Sequence, residues 1–154
     1  MLILEYDKLY RFDLKNQIKL GSLTEDQIKR CMMDGRFASH YMEKELVNWF
    51  PHLKESEDSC GPFDHLMDNQ KIDHKNCTKG GVKFMPSKML GTGREFNSEE
   101  FLEKTAEMDY VITDITTYPI IGVMLKKGVE LAKNFPNGKI ALASAKEMLY
   151  GKCD

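Results

Sequence analysis

The sequence predicts an α/β domain, a central mixed β-sheet flanked by helices. Three observations carry that prediction. Apolar residues recur at three- and four-residue spacing over 37–50, which is helical periodicity. Residues 62–67 and 71–76 are short runs separated by Asp68, Asn69 and Gln70, which is a hairpin signal. Beyond a second helix signal at Asn97, DYVITDI (109–115) and PIIGVML (119–125) are apolar runs of strand length. Helix, three strands, helix, strands along one chain is the order of an α/β fold.

Each element has a local cause. Residues 1–12 alternate loosely and predict a strand, and four apolar residues followed by charges do not read as a secretory signal. Ser22-Leu-Thr-Glu25 has capping-box spacing, so a helix is expected over about 23–33, with Gly35 as its stop. In FASHYMEKELVNWF, Phe37, Tyr41, Met42, Leu46, Trp49 and Phe50 form one apolar stripe, and Pro51 ends the helix. Residues 52–61 read as a polar loop. After the hairpin, Gly80-Gly81 breaks the chain and VKFMP (82–86) alternates like a third strand. Gly91 and Gly93 mark a turn. Asn97 to Glu100 is a second capping box, opening a helix over 98–107. A short helix over 127–134, a Pro-Asn-Gly turn and an apolar segment from 139 complete the chain.

Size and composition bound the reading. The 154 residues correspond to one domain, 1–154, at about 150 residues per domain. With 42% hydrophobic and 30% charged residues, wholesale disorder is excluded. No apolar run approaches the roughly 18 residues of a membrane span. Cysteines stand at 31, 60, 77 and 153 without a CxxC pair, so reduced thiols and a cytoplasmic setting are expected. The net charge of −2 is no argument for a nucleic-acid partner. Its distribution is: residues 74–94 hold Lys75, Lys79, Lys83, Lys88 and Arg94 and no acid. Those cations, with Ser87 and Thr92, are candidates for contacting DNA phosphates. The acidic helix that follows is expected to face away from DNA or to meet a partner.

The chemistry centres on Asp64 and Asp73. If 62–67 and 71–76 pair, Asp73 and Lys75 share one face of the strand while Ile72 and His74 take the other. Asp64 on the neighbouring strand then reaches the Asp73 face. Two carboxylates and an ammonium converging in this way suit a hard divalent cation, and Mg²⁺ takes one or two carboxylates plus waters and substrate phosphate. A metal so held polarises a phosphate and acidifies a bound water, and a nearby lysine orients that water or stabilises developing charge.

Pro62-Phe63-Asp64, eight residues, then Asp73-His74-Lys75 resembles the signature of the PD-(D/E)XK nuclease superfamily, which includes restriction and homing endonucleases. Here Phe63 separates the proline from the aspartate. The resemblance covers about residues 36–115. It implies a restriction-endonuclease-like core of helix, three-strand meander, helix and strand. It implies Mg²⁺ (or Mn²⁺) on Asp64 and Asp73, the His74 carbonyl as a third ligand, and Lys75 assisting the attacking water. The acid this superfamily often adds from its first helix falls on Glu43, with Glu45 as second choice; a different alignment puts Ser39 there. The expected activity is a Mg²⁺-dependent, site-specific DNA endonuclease of restriction or homing type. Lys79, Lys83, Ser87, Lys88 and Arg94 would line the DNA. Cutting both strands with one site per chain implies a homodimer or higher assembly.

Two other readings use the same stretch. A non-catalytic nucleic-acid-binding module would keep the fold. Cys60, His65, His74 and Cys77 offer four ligands for a structural Zn²⁺, and Asp73-His74 resembles the start of an HNH nuclease motif, in which the histidine is the base. No histidine follows His74 to complete that motif. His74 is otherwise expected at a strand surface, Trp49 in the core under the first helix, and Asp114 as a turn cap.

Overall fold

In the computed structural model, which describes residues 2–57 and 62–151, the chain is a mixed α/β fold. β1 (Tyr10–Asp13) is followed by α1 (Glu25–Met32), α2 (Gly35–Trp49) and β2 (Leu53–Glu55). Next come the hairpin β3 (His65–Met67) and β4 (Gln70–Cys77), then β5 (Val82–Lys83), a 3-10 turn at Ser87–Met89 and α3 (Ser98–Glu107). β6 (Met108–Asp114), β7 (Ile120–Lys126), α4 (Gly128–Asn134), β8 (Lys139–Ile140) and α5 (Leu142–Tyr150) complete it. The main sheet has the order β1-β7-β6-β4-β3-β2, in which β4 and β6 run parallel and the other neighbours antiparallel. Among the described residues no helix is long and apolar enough to cross a membrane.

The sheet separates two apolar cores. Ile72, Val111, Val123 and Leu125 pack on one face with Met42, Leu46 and Phe50 of the α2 region. Tyr110, Ile112 and Met124 pack on the other with Phe101, Leu131 and Leu149 of α3, α4 and α5. Residues 110–112 and 123–125 alternate between the cores because successive strand side chains point oppositely. The near-continuous apolar runs of β6 and β7 are those of strands covered on both faces.

Several boundaries differ from the sequence expectation. The N-cap of α1 is Thr24, not Ser22: Gln27 N–H donates to Thr24 Oγ1 at 3.2 Å and Thr24 N–H donates back to Gln27 Oε1 at 2.9 Å. Gly35 does not stop α1. It begins α2, because Asp34 accepts from Arg36 N–H at 2.9 Å and caps the new helix. The loop expected over 52–61 contains β2, too short for alternation to show, with Leu53 buried against the α2 core. β2-β3-β4 is therefore the antiparallel meander, displaced toward the N-terminus by one strand. The third strand expected at 82–86 is only β5, and it pairs with β8 in a separate ribbon. The tight turn between Thr78 and Gly81 takes it off the main sheet. Gly81 is needed there: its φ is +84°, and a Cβ would lie 2.0 Å from the Ile140 carbonyl oxygen.

Trp49 is half-buried, stacked on Phe12 at 3.9 Å between ring centroids, and Phe50 is the buried anchor. Asp114 does cap its turn, accepting from Thr116 N–H at 2.9 Å. It also carries α5, because its fully buried Oδ2 accepts from Lys146 Nζ at 2.7 Å and from the Tyr150 hydroxyl.

Candidate active site

The β3–β4 hairpin assembles the site. Asp68 (φ +48°) and Asn69 (φ +71°) form a two-residue turn with both residues left-handed, the geometry that matches strand twist. The register this sets pairs His65 with Ile72. Asp64 then sits just before β3, its N–H donating to the Ile72 carbonyl at 3.1 Å. The next backbone group along that edge of β4 is His74 N–H, which donates to Asp64 Oδ2 at 2.8 Å. The Asp64 carboxylate is thus locked beside β4. The N–H and C=O of one strand residue point to the same side, so the His74 carbonyl faces this side as well.

Asp73 and Lys75 share a face, as alternation requires, and it is the face covered by α3. Lys75 Nζ lies 3.3 Å from Asp73 Oδ2, and Lys104 Nζ of α3 lies 3.6 Å from the same atom. Asp73 is only 7% exposed, and its Oδ2 is a buried atom without a hydrogen bond. The Asp64 and Asp73 carboxyl groups lie close enough for each to perturb the other. Burial and then the facing Asp73 push the Asp64 carboxyl up to about 7. Burial pushes Asp73 upward too, but Lys75, Asp64 and Lys104 outweigh it and hold Asp73 below the usual carboxylate range. The two acids are thus pushed apart, Asp64 toward its neutral form and Asp73 toward its charged form, as expected of carboxylates that repel each other at close range. Glu43 of α2 faces the pair, and burial raises its carboxyl. Asp64, Asp73, Lys75 and Glu43 all line one cleft of about 840 Å³.

The opposite face of β4 holds a buried polar network. Thr113 Oγ1 donates to Asn76 Oδ1 at 2.6 Å, so its single proton is committed there. His74 Nε2, 2.7 Å from Thr113 Oγ1, must then be the donor of that bond. Asn76 Nδ2 in turn donates to the Gly35 carbonyl (2.9 Å) and to Ser39 Oγ (2.8 Å). This network ties β4 and β6 to the first turn of α2. His74 is thus buried, not at the strand surface as its sequence context suggested, and burial pushes its pKa down to about 3. With its ring buried on the α2 side of the sheet and Nε2 committed to Thr113, His74 is not placed as the base of an HNH site. The zinc set does not form either. Cys77 packs in the core on the α3 side while His65 and His74 lie on the α2 side, and Cys60 lies outside the described residues.

The remaining candidates scatter around this centre. Ser39 lines the cleft, but its hydroxyl donates to the Gly35 carbonyl at 2.7 Å and acts as an anchor. Glu45 lies near Tyr41, whose hydroxyl is raised by burial and then by this carboxylate. Ser87 and Lys88 border the cleft, with Lys88 Nζ neutralised by Glu100 Oε2 at 2.6 Å. Lys83 and Arg94 line a neighbouring pocket, and Lys79 a third. Of the acidic helix, Glu100, Glu103 and Glu107 rim the same cleft as Asp64 and Asp73.

Lys104 is the residue that sequence reading missed. It lies on the stripe of α3 that buries Phe101 and Thr105. A lysine three residues from one buried position and next to another was the signal, since such a cation needs an acidic partner. Asp64 and Asp73 fit a hard cation that completes its shell with water and substrate oxygens. Among the described residues no group of three or more His, Cys, Asp or Glu side chains is placed to hold a metal ion. No protein-family model, curated protein or solved structure matches this chain.

Proposed function

We propose that this chain is a Mg²⁺-dependent endonuclease that hydrolyses DNA phosphodiester bonds, built on a restriction-endonuclease-like core. The observation that carries the reading is the convergence of Asp64, Asp73 and Lys75 from one hairpin, with Glu43 above them, in a single cleft. The architecture supports it. The order α2, β2-β3-β4 meander, α3, β6 is the helix, meander, helix and strand implied by the signature around Asp64 and Asp73.

Bound Mg²⁺ would supply a polarised phosphate and an acidified water. Asp64 and Asp73 would hold it, with the His74 carbonyl on the same side. Asp64, whose carboxyl is raised, would have to be ionised to serve as a ligand. Lys75, already 3.3 Å from Asp73, orients the attacking water and offsets negative charge on the phosphorane-like transition state. Glu43 adds an oxygen acceptor at the rim of the cleft. One site per chain cuts one strand, so double-strand cleavage takes two copies, and site-specific cutting of restriction or homing type fits that arrangement.

Supercoiled plasmid incubated with purified protein tests the reading. Nicked or linear product that needs Mg²⁺ or Mn²⁺, stops in EDTA and is lost in Asp73→Asn is expected. DNA binding without cleavage under any divalent cation would replace this reading with a non-catalytic binding module of the same fold.

A further inference from the structure

We propose that Lys83, Arg94 and Lys139 form a phosphate-binding subsite for the DNA strand where it leaves the catalytic cleft. The choice of DNA as ligand rests on the nuclease reading; the anion site rests on its own geometry. Lys83 and Lys139 stand directly opposite each other in the β5–β8 ribbon, and both are exposed. Like charges in register across an antiparallel pair are destabilising. A ribbon of two residues per strand has little other pairing to offset that cost. An anion bound between the two ammonium groups turns the repulsion into binding energy.

A third cation completes the set. Arg94 lines the same pocket, of about 310 Å³, and its Nη1 donates to the Ser87 carbonyl at 2.8 Å. That bond fixes one edge of the guanidinium and leaves other N–H donors for a phosphate oxygen. No acidic residue lines the pocket, and none of the three cations has an ion-pair partner among the described residues. This sets them apart from Lys88, which Glu100 neutralises, and from Lys75 and Lys104, which share Asp73. Asn137 and Phe96, the latter 40% exposed, border the same pocket. They supply an amide for sugar or phosphate and a ring against which a base can stack.

The surface connects this pocket to the candidate catalytic carboxylates. Lys75 and Ser39 line both the cleft and an adjoining groove of about 570 Å³, and Lys83 and Leu90 line both that groove and the cation pocket. The other wall of the cleft carries Glu103 and Glu107, while Glu100 there is paired with Lys88 and Lys104 is held by Asp73. A polyanion centred on Asp64 and Asp73 is therefore repelled by α3 and drawn toward β5 and β8. Lys139 enters this assignment although it lies far outside the basic run of the sequence.

Anisotropy of a short labelled DNA duplex, titrated in EDTA at several salt concentrations, reads the subsite without cleavage. Lys83→Gln and Lys139→Gln should each weaken binding several-fold and lower the slope of log affinity against log salt by about 1. Lys139→Arg should restore both, and Lys29→Gln on α1 should change neither. Urea unfolding of Lys139→Gln should show unchanged or higher stability, because a like-charge pair is relieved, so lost binding would not be lost folding. Wild-type affinity and slope in Lys139→Gln, or an equal loss in Lys29→Gln, would overturn the subsite. The two proposals fail separately. Cleavage that needs Asp73 with Lys139→Gln binding normally removes the subsite alone. Weakened binding in Lys139→Gln with no cleavage under any divalent cation removes the nuclease alone.

Discussion

The backbone N–H of His74 donates a 2.8 Å hydrogen bond to Asp64 Oδ2, so the residue between Asp73 and Lys75 also positions the carboxylate that faces Asp73. One strand thus presents the second acid and the lysine on one face and fixes the first acid through its edge. The imidazole of the same residue is anchored beneath the sheet by Thr113. The position of the acidic pair depends on hairpin register more than on any loop.

Lys75→Met is expected to lower Mg²⁺-dependent cleavage by about 10²–10³-fold, the range for losing one preorganised charge donor at a transition state. Plasmid nicking rates at saturating DNA measure it. Lys104→Met should cost less, because Lys104 lies farther from Asp73 Oδ2 than Lys75 does (3.6 Å against 3.3 Å). Equal losses in the two variants would remove the special role of Lys75.

Asp64 gives the metal-free chain a distinctive pH dependence. Its carboxyl is pushed up to about 7 by burial and by Asp73. The folded chain keeps a proton that the unfolded chain releases near pH 4. Stability from this group is fully present below about pH 4 and is lost as pH rises toward 7. Glu43, also raised, acts in the same direction, whereas the stability from Asp73, held low, is present above about pH 4 and is lost only as pH falls further. Urea midpoints in EDTA should therefore fall between about pH 5 and about pH 8. Asp64→Asn should be less pH-dependent and more stable at the higher pH. A wild-type slope in Asp64→Asn would show that the Asp64 carboxyl is not the raised group.

Lys146→Met should destabilise the fold by about 1–3 kcal/mol, the cost of leaving a buried charged acceptor short of a partner. Asp114 is fully buried, and Lys146 donates to it at 2.7 Å. Burial raises the Asp114 carboxyl, but bonds from Lys146, Thr116 and Tyr150 hold it below the ordinary value. Stability from this carboxylate is present above about pH 4 and lost as pH falls further. Chemical unfolding of the variant at neutral pH gives the magnitude.

Gly81→Ala should cost at least about 1–2 kcal/mol for a left-handed backbone with a side chain. The added Cβ also meets the Ile140 carbonyl oxygen at 2.0 Å, so the β5–β8 ribbon must open. Amide exchange at Val82 and Ile140 should accelerate more than in β6, and the salt slope of DNA binding should fall as Lys83 and Lys139 separate.

The sequence by itself determined the hairpin and what it carries. Asp68-Asn69 forces a tight turn, and period-two alternation then sets Asp73 and Lys75 on one face and Ile72 and His74 on the other. The apolar runs of β6 and β7 and the stripe of α2 were legible for the same reason, since each is a local period repeated often enough to read. β2 was not legible, because three residues are too few to alternate, and neither was the Thr24 cap, because Ser22 offered the same chemistry two residues earlier. Only the tertiary structure decided that α3 lays Lys104 against Asp73, and that Lys139 lies opposite Lys83. Only it turned the His74 ring toward a threonine 39 residues away. Those relationships join segments distant in sequence, and no local spacing encodes which face of a helix or ribbon will meet which strand.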